Sequence, residues 1–177
     1  MNIFYLHRNP MLAAHHQCDK HVVKMILETA QLLSTAHRLL DGDEYADSAE
    51  LYKATHKNHP SSVWVRSSDL AYQWTLIHFD ALLQEYTKRY GKDHKAYRLF
   101  RPLQKLPDNI QRTGPARGKV TYDDIHGYLN PAWVDPPQCM PDQYKGEDTV
   151  EAYRDYYRNE KLYMAKWNYS QKPAWAA

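Results

Sequence analysis

The chain has 177 residues, a length typical of one domain that buries a core without disulfides. A formal net charge of +2 and an aromatic content of 13% exclude a disordered chain. Two cysteines exclude a disulfide framework, and no apolar run is long enough for a signal peptide or a membrane span. We therefore expect a cytoplasmic protein with reduced thiols and no membrane partner.

Helix signals dominate the first two thirds of the chain. Residues 2–6 predict one short strand, and Asn9 with Pro10 predicts the start of the first helix. Gly91 is the expected end signal of the second long helix. After the first, the predicted helices span residues 19–40, residues 48–54, Ser61 or Ser62 to Tyr90, and residues 95–104.

Residues 106–147 differ from the rest because prolines and glycines interrupt every periodic pattern. Asp148 and Glu151 then form a capping box that predicts a final helix over 148–167. The fold class is mainly α. We expect a single domain over 1–177, with a helical body (10–105), an irregular covering segment (106–147) and the C-terminal helix.

A polar stripe on the predicted helix 19–40 is the first candidate site. At 100° per residue, His21, Lys24, Glu28, Gln31 and Arg38 share one face of an otherwise apolar helix. These groups suit acid/base chemistry on an anionic substrate: Glu28 as general base, His21 as its acid/base partner, and Lys24 and Arg38 as anion contacts, with Gln31 also binding substrate. The alternative is a solvent-facing stripe with ordinary ion pairs.

The second long helix carries a His and a Glu on its apolar side. His78 and Glu85 lie beside apolar residues, away from the water-facing arc. They either form a structural hydrogen-bonded pair or face Lys24 and Glu28 across a cleft, with Glu85 as an alternative catalytic base and His78 as a substrate contact.

Four polar residues precede a helix start at Pro60. His56, Lys57, Asn58 and His59 are predicted to bind an anionic substrate, because helix N-termini favour negative charge. The His and Cys spacings match no zinc pattern, so we predict neither a metal nor a cofactor.

The segment 84–119 has ten basic and three acidic side chains, a net charge of +7. Aromatic residues lie between the charges, a mixture that favours nucleic acid, although rings at helical spacing also form cores. A Gly-rich loop around Arg117 lacks the pattern of a nucleotide-binding loop and is either a phosphate contact or plain surface. The predicted DNA contacts are Lys88, Arg89, Lys92, Arg117 and Lys119.

Three motifs are specific: CDKHVVKM at 18–25, THKNHP at 55–60 and PPQCMP at 136–141. With Tyr156 and Trp167, they resemble a family of small bacteriophage proteins over nearly the whole chain. That resemblance implies the cytoplasm of an infected host cell. It also implies a link to phage systems that hypermodify thymine in DNA, particularly the amino-acid:DNA transferases.

The leading hypothesis is therefore an enzyme, a transferase that modifies a pyrimidine base of DNA with a small-molecule group donor. Such chemistry requires an extruded nucleotide, which a Tyr-rich loop could stack against. A DNA glycosylase or lyase is the first alternative, in which Lys24 or another amine attacks the sugar carbon. The second is a non-enzymatic protein that binds a host factor or a nucleotide.

Overall fold

Two long helices form the centre of the molecule. The computed structural model describes residues 1–114 and 118–177, in which α2 (Asp19–Asp41) packs against α5 (Asp69–Tyr90). The other α-helices are α1 (Pro10–His16), α3 (Asp43–Ser48), α4 (Pro60–Val65), α6 (Phe100–Leu103) and α7 (Thr149–Glu160), and short 3₁₀ helices span Lys95–Leu99, Tyr122–Leu129, Asp142–Tyr144 and Ala174–Ala176. The only β-type pairing within the described residues is one bridge between Lys105 and Lys119. The mainly α fold class is thus confirmed.

Local capping chemistry explains several helix ends. The Asn9 side chain accepts from the backbone nitrogens of Met11 and Leu12, and Pro10 occupies the first helical turn, as predicted. Ser68 caps α5 by accepting from the Ala71 nitrogen. Gly91 ends α5 with φ +68, a left-handed conformation that favours glycine.

The predicted strand at residues 2–6 is wrong. Phe4 has φ +53, and the backbone nitrogen of Leu6 donates to the carbonyl of Phe4, so the segment turns on itself instead of pairing. Its apolar residues reflect burial: Ile3, Phe4, Tyr5 and Leu6 all lie in the core beside α2 and α7.

The boundaries of two further predicted helices also differ. The short helix predicted at 48–54 is α3 instead, because the buried Arg38 guanidinium pairs with Asp43 and Asp47 and so orders the acidic segment. The helix predicted from Ser61 to Tyr90 is two helices, separated at residues 66–68 and capped individually by His59 and Ser68.

The last predicted helix is seven residues too long. Helix α7 ends at Glu160, where the carbonyl of Tyr157 accepts from the nitrogens of both Lys161 and Leu162. The chain then turns, and the Trp167 indole donates to the carbonyl of His16 at 3.1 Å. A long-range contact to α1 thus replaces continuation of the helix.

The covering segment 106–147 is tied to the helical body by hydrogen bonds. The Trp64 indole donates to the carbonyl of Val134 at 3.0 Å, and the Tyr5 hydroxyl donates to Asp135 at 3.0 Å. Among residues 1–114 and 118–177, no helix combines the length and hydropathy that crossing a membrane requires.

Candidate active site

The carboxylate of Glu28 lies beside two amines. Its Oε2 accepts from the backbone nitrogen of Asn2 at 3.1 Å and lies 4.0 Å from the amino nitrogen of Met1. Its Oε1 lies 3.6 Å from Nζ of Lys24, one turn earlier on α2. The Glu28 side chain is 16% exposed, so water screens these interactions only in part. This is a carboxylate positioned to exchange a proton with a neighbouring amine.

A cleft of about 690 Å³ opens next to Glu28, with Met1 in its wall. Two of the three sequence motifs meet there, the His59–Pro60 end of one and residues 137–141 of the other. Tyr156 from α7 and Lys145 complete the lining. The Asn2 side chain connects the N-terminal segment to residues 137–141, since its amide donates to the carbonyl of Cys139 at 2.9 Å.

His59 is held by its own helix. Its Nδ1 accepts from the backbone nitrogen of Ser61 at 3.1 Å and thereby caps α4. Burial lowers the pKa of His59, the positive Met1 amine and His56 lower it further, and the negative charge of Glu28 partly opposes them. His59 is therefore mainly neutral at pH 7, within the electrostatic reach of both Met1 and Glu28.

His21 lies under the N-terminal segment. Its ring stacks on Phe4 with centroids 4.4 Å apart and meets the edge of Tyr157 at 5.2 Å. Burial lowers the pKa of His21 to about 4, and the charges of three lysines, Lys161 first, lower it further. At neutral pH it is uncharged, and in this position it supports Phe4, while its acid/base role stays a prediction.

The remaining residues of the polar stripe separate into different environments. Arg38 is buried, and its guanidinium donates to Asp43 at 2.6 Å and to the carbonyl of Tyr52 at 2.7 Å. This corrects the prediction that Arg38 contacts a substrate anion: it clamps the segment after α2. Gln31, half-buried one turn beyond Glu28, remains a predicted substrate contact.

The loop before α4 contributes unequally to the cleft. His59 lines it, whereas His56, Lys57 and Asn58 are exposed and are not among its lining residues. His56 has φ +46, and its Nδ1 lies 2.8 Å from the hydroxyl of Thr55. The substrate contacts predicted for His56, Lys57 and Asn58 remain predictions.

Glu85 and His78 belong to a different region, where α1 meets α5. Glu85 lies 3.0 Å from Nδ1 of His15 and 2.9 Å from the Arg89 guanidinium. His78 is buried, with Nδ1 2.9 Å from the carbonyl of Pro10, and burial lowers its pKa to about 4. The structure does not bring either residue to the Glu28 cleft. Each is hydrogen-bonded to other residues, which gives both a structural setting different from the predicted His78–Glu85 pair.

The predicted DNA contacts at the end of α5 differ in exposure. Lys88 and Lys92 are exposed, as is Lys119. Arg89 is buried: it donates to Asp19 at 3.1 Å, to Glu85 at 2.9 Å and to two carbonyls of the α1–α2 junction. The expectation that Arg89 faces DNA is therefore corrected, while Arg117 lies outside the described residues.

Sequence reasoning missed part of the cleft. Asn2 lies in the predicted strand and Met1 in no predicted element, and their distance from Glu28 along the chain left no local signal. Cys139 and Tyr156 belong to the quoted motifs, but only the folded chain brings them to one wall. The Cys139 thiol lies 3.4 Å from the Ser61 hydroxyl, next to the His59 cap.

Residues 1–98 match the family model described as "Pyrimidine dimer DNA glycosylase". The match covers more than half of the 177 residues and includes Glu28, Lys24 and His59, whereas Cys139 and Tyr156 lie beyond it. Neither the curated proteins nor the solved structures contain a significant match.

The protein with this mainly α fold and this cleft is therefore an enzyme of a class that acts on DNA. The chain belongs to the pyrimidine dimer DNA glycosylase family. The prediction of an enzyme that acts on pyrimidines in DNA is confirmed at that level, and the match supports the glycosylase alternative rather than the transferase. The phage resemblance stays a prediction.

Proposed function

We propose that this chain is a DNA glycosylase with an associated lyase activity, which removes a damaged pyrimidine by means of an amine nucleophile. The observation that carries the proposal is the Glu28 carboxylate, 4.0 Å from the Met1 amine and 3.6 Å from the Lys24 amine. The family match supplies the substrate class.

The chemistry requires an amine that can lose its proton. The amine nitrogen bonds to C1′ of the damaged nucleotide, the C1′–N bond breaks, and its electron pair leaves with the pyrimidine, which takes up a proton. Glu28 accepts the proton that the amine loses. Ring opening protonates O4′ and leaves an imine between the sugar carbon and the enzyme.

The same imine accounts for strand cleavage. A protonated imine acidifies the neighbouring C2′–H, so a base can remove that proton while the electrons expel the 3′ phosphate. Glu28 is placed for this step too, and its negative charge stabilises the cationic imine. Water then hydrolyses the imine and returns the free amine.

The dimensions of the cleft fit an extruded base. A volume of about 690 Å³ lies within the usual range of small-molecule sites. Tyr156 lines the cleft, and Lys161 lies over its ring at 5.0 Å. A flipped nucleotide would thus find an aromatic side chain, Tyr156, and a cation, Lys145, in the lining of one cleft.

Borohydride trapping tests the proposal. Purified protein is incubated with duplexes that carry a cyclobutane pyrimidine dimer or an abasic site, and borohydride then reduces any imine to a stable adduct. We expect an adduct and cleavage on both duplexes. Peptide mapping of the adduct would identify the Met1 amine or Lys24, and Lys24→Ala would lose the adduct only in the second case. Absence of both strand cleavage and adduct would reject the proposal.

The transferase hypothesis predicts a different product. A transferase leaves the glycosidic bond and the strand intact and enlarges the base by the mass of the transferred group. Nucleoside mass spectrometry after incubation with candidate donors distinguishes the two activities. The non-enzymatic alternative predicts binding without any change in the DNA.

A further inference from the structure

A second groove is lined by Lys24, whose Nζ lies 3.6 Å from Glu28. We propose that this groove, here called the α2 groove, binds the sugar–phosphate backbone of the DNA strand whose nucleotide enters the cleft; the inference rests on the proposed function. The groove has a volume of about 470 Å³, and its polar lining is Lys24, Tyr52, His94, Lys95 and Arg98.

The charge of the α2 groove suits phosphate. Lys95 and Arg98 are three residues apart on the 3₁₀ helix Lys95–Leu99, so their side chains project to the same side, about 6 Å apart along the axis. In the part of the chain that the structure describes, neither forms an ion pair and no carboxylate lines the groove. The Lys24 side chain is 67% exposed. Three cationic groups thus face one channel.

The groove is held in shape by the segment that follows α3. The Arg98 guanidinium donates to the carbonyl of Glu50 at 2.9 Å and lies 5.7 Å from the ring centre of Tyr52. His94 caps the 3₁₀ helix through Nδ1, and burial lowers its pKa, so it adds a polar but uncharged group at pH 7. Arg98 is therefore partly preorganised for a ligand.

The floor of the α2 groove is apolar. Val23 and Leu27, one turn apart on α2, are 39% and 43% exposed, unusual values for large aliphatic side chains on a central helix. A strand of DNA alternates charged phosphates with apolar sugar faces. A channel with methyl groups at its base and cations at its side complements both.

Lys24 connects the two sites. It lines the α2 groove, and its Nζ lies 3.6 Å from Glu28, whose other oxygen contacts the Met1 amine of the cleft. A backbone that follows the groove therefore arrives beside the candidate nucleophile. Lys88 and Lys92, the α5 cations predicted from the sequence to contact DNA, line neither the cleft nor the groove, so this inference assigns the backbone contact to Lys95 and Arg98 instead.

The experiment measures the salt dependence of binding by fluorescence anisotropy, with a labelled duplex that carries one pyrimidine dimer. The groove variant is Lys95→Gln with Arg98→Gln, and the matched control is Lys88→Gln with Lys92→Gln, which removes the same charge. Each phosphate that the protein no longer neutralises should reduce the slope of log affinity against log salt by about 0.9. We expect a reduction of about 1.8 in the groove variant and none in the control.

Two outcomes would overturn the inference: an unchanged slope in the groove variant, or the reduction in the control pair instead. Lys95→Gln alone controls for misfolding, because it leaves the Arg98 hydrogen bond to the Glu50 carbonyl intact. It should still reduce the slope by about 0.9. Wild-type cleavage in the same buffer separates the two proposals. If the wild type cleaves the duplex but the groove variant has an unchanged slope, only the groove proposal is rejected. If the groove variant has a reduced slope but the wild type does not cleave, the proposed glycosylase function is rejected and the α2 groove remains a DNA-binding site.

Discussion

The Glu28 carboxylate accepts a hydrogen bond from the Asn2 backbone nitrogen at 3.1 Å, although 26 positions separate the two residues. This contact places the first residues of the chain on α2 and brings the Met1 amine into the wall of the cleft. One carboxylate thus has a positioning role and a place in the proposed chemistry, and both follow from the same geometry.

Replacing Glu28 by Gln should reduce the rate of glycosidic-bond cleavage about 10²- to 10⁴-fold, because the amide cannot accept the proton of the attacking amine. The fold should persist, since the amide oxygen can still accept from Asn2. Single-turnover strand cleavage of the dimer duplex measures the effect, because a dimer pyrimidine cut from its sugar stays joined to its partner base. Exposed Glu44→Gln is the control. A Glu28→Gln rate equal to that of the control would exclude Glu28 from the chemistry.

His21 should make stability depend on pH. Its pKa is 6.5 when unfolded and about 4 when folded, so the unfolded state binds the extra proton between these values. Stability is therefore lost as the pH falls from about 6.5 to about 4. His21→Phe keeps the stack on Phe4 and should lessen the loss between pH 7.5 and 5.0 by about 2 kcal/mol, measured by urea unfolding.

The same His21 variant separates two roles for this residue. Retained base release at pH 7.5 would show that His21 acts by supporting Phe4. A decrease of about 10²-fold or more in a folded variant would instead restore the acid/base role predicted from the sequence.

Mutation of Arg89 should reduce the free energy of unfolding, whereas mutation of its exposed neighbours Lys88 and Lys92 should leave it nearly unchanged. Arg89→Met leaves Asp19 and Glu85 partly buried without their shared cation and should cost about 3–5 kcal/mol of unfolding free energy. Lys88→Gln with Lys92→Gln should change stability by less than about 0.5 kcal/mol, because both side chains are exposed. Denaturant unfolding of the three proteins checks this, and equal stabilities would mean that the Arg89 network contributes little.

Cys139 should make the enzyme sensitive to thiol reagents. It lines the cleft, whereas Cys18 is buried in the core. N-ethylmaleimide should add once, at Cys139, and block base release by filling the space next to Met1. Intact-mass spectrometry counts the adducts, and Cys139→Ser should keep its activity after treatment. Undiminished activity of the singly modified wild type would show that substrate does not use this wall.

Local sequence rules predicted much of the helical framework. Asn9 with Pro10, and Gly91 after Tyr90, act within one turn of the helix ends that they determine, so their effect does not depend on distant partners. The one-sided polar stripe on α2 likewise identified Glu28 and Lys24 as neighbours, because helical spacing alone brings positions four apart together.

Only the tertiary structure decided which polar residues share a site. Lys88 and Arg89 are adjacent and equally basic, yet carbonyls and carboxylates from the α1–α2 region surround Arg89 and leave Lys88 in water. Met1, Glu28, His59 and Cys139 form one region through contacts across up to 137 positions, as between Asn2 and Cys139. The sequence by itself determined the two long central helices and the chemical groups on them, because local caps and helical spacing depend on nearest neighbours. Their assembly into a cleft depended on the packing of distant segments, which one-dimensional periodicity does not encode.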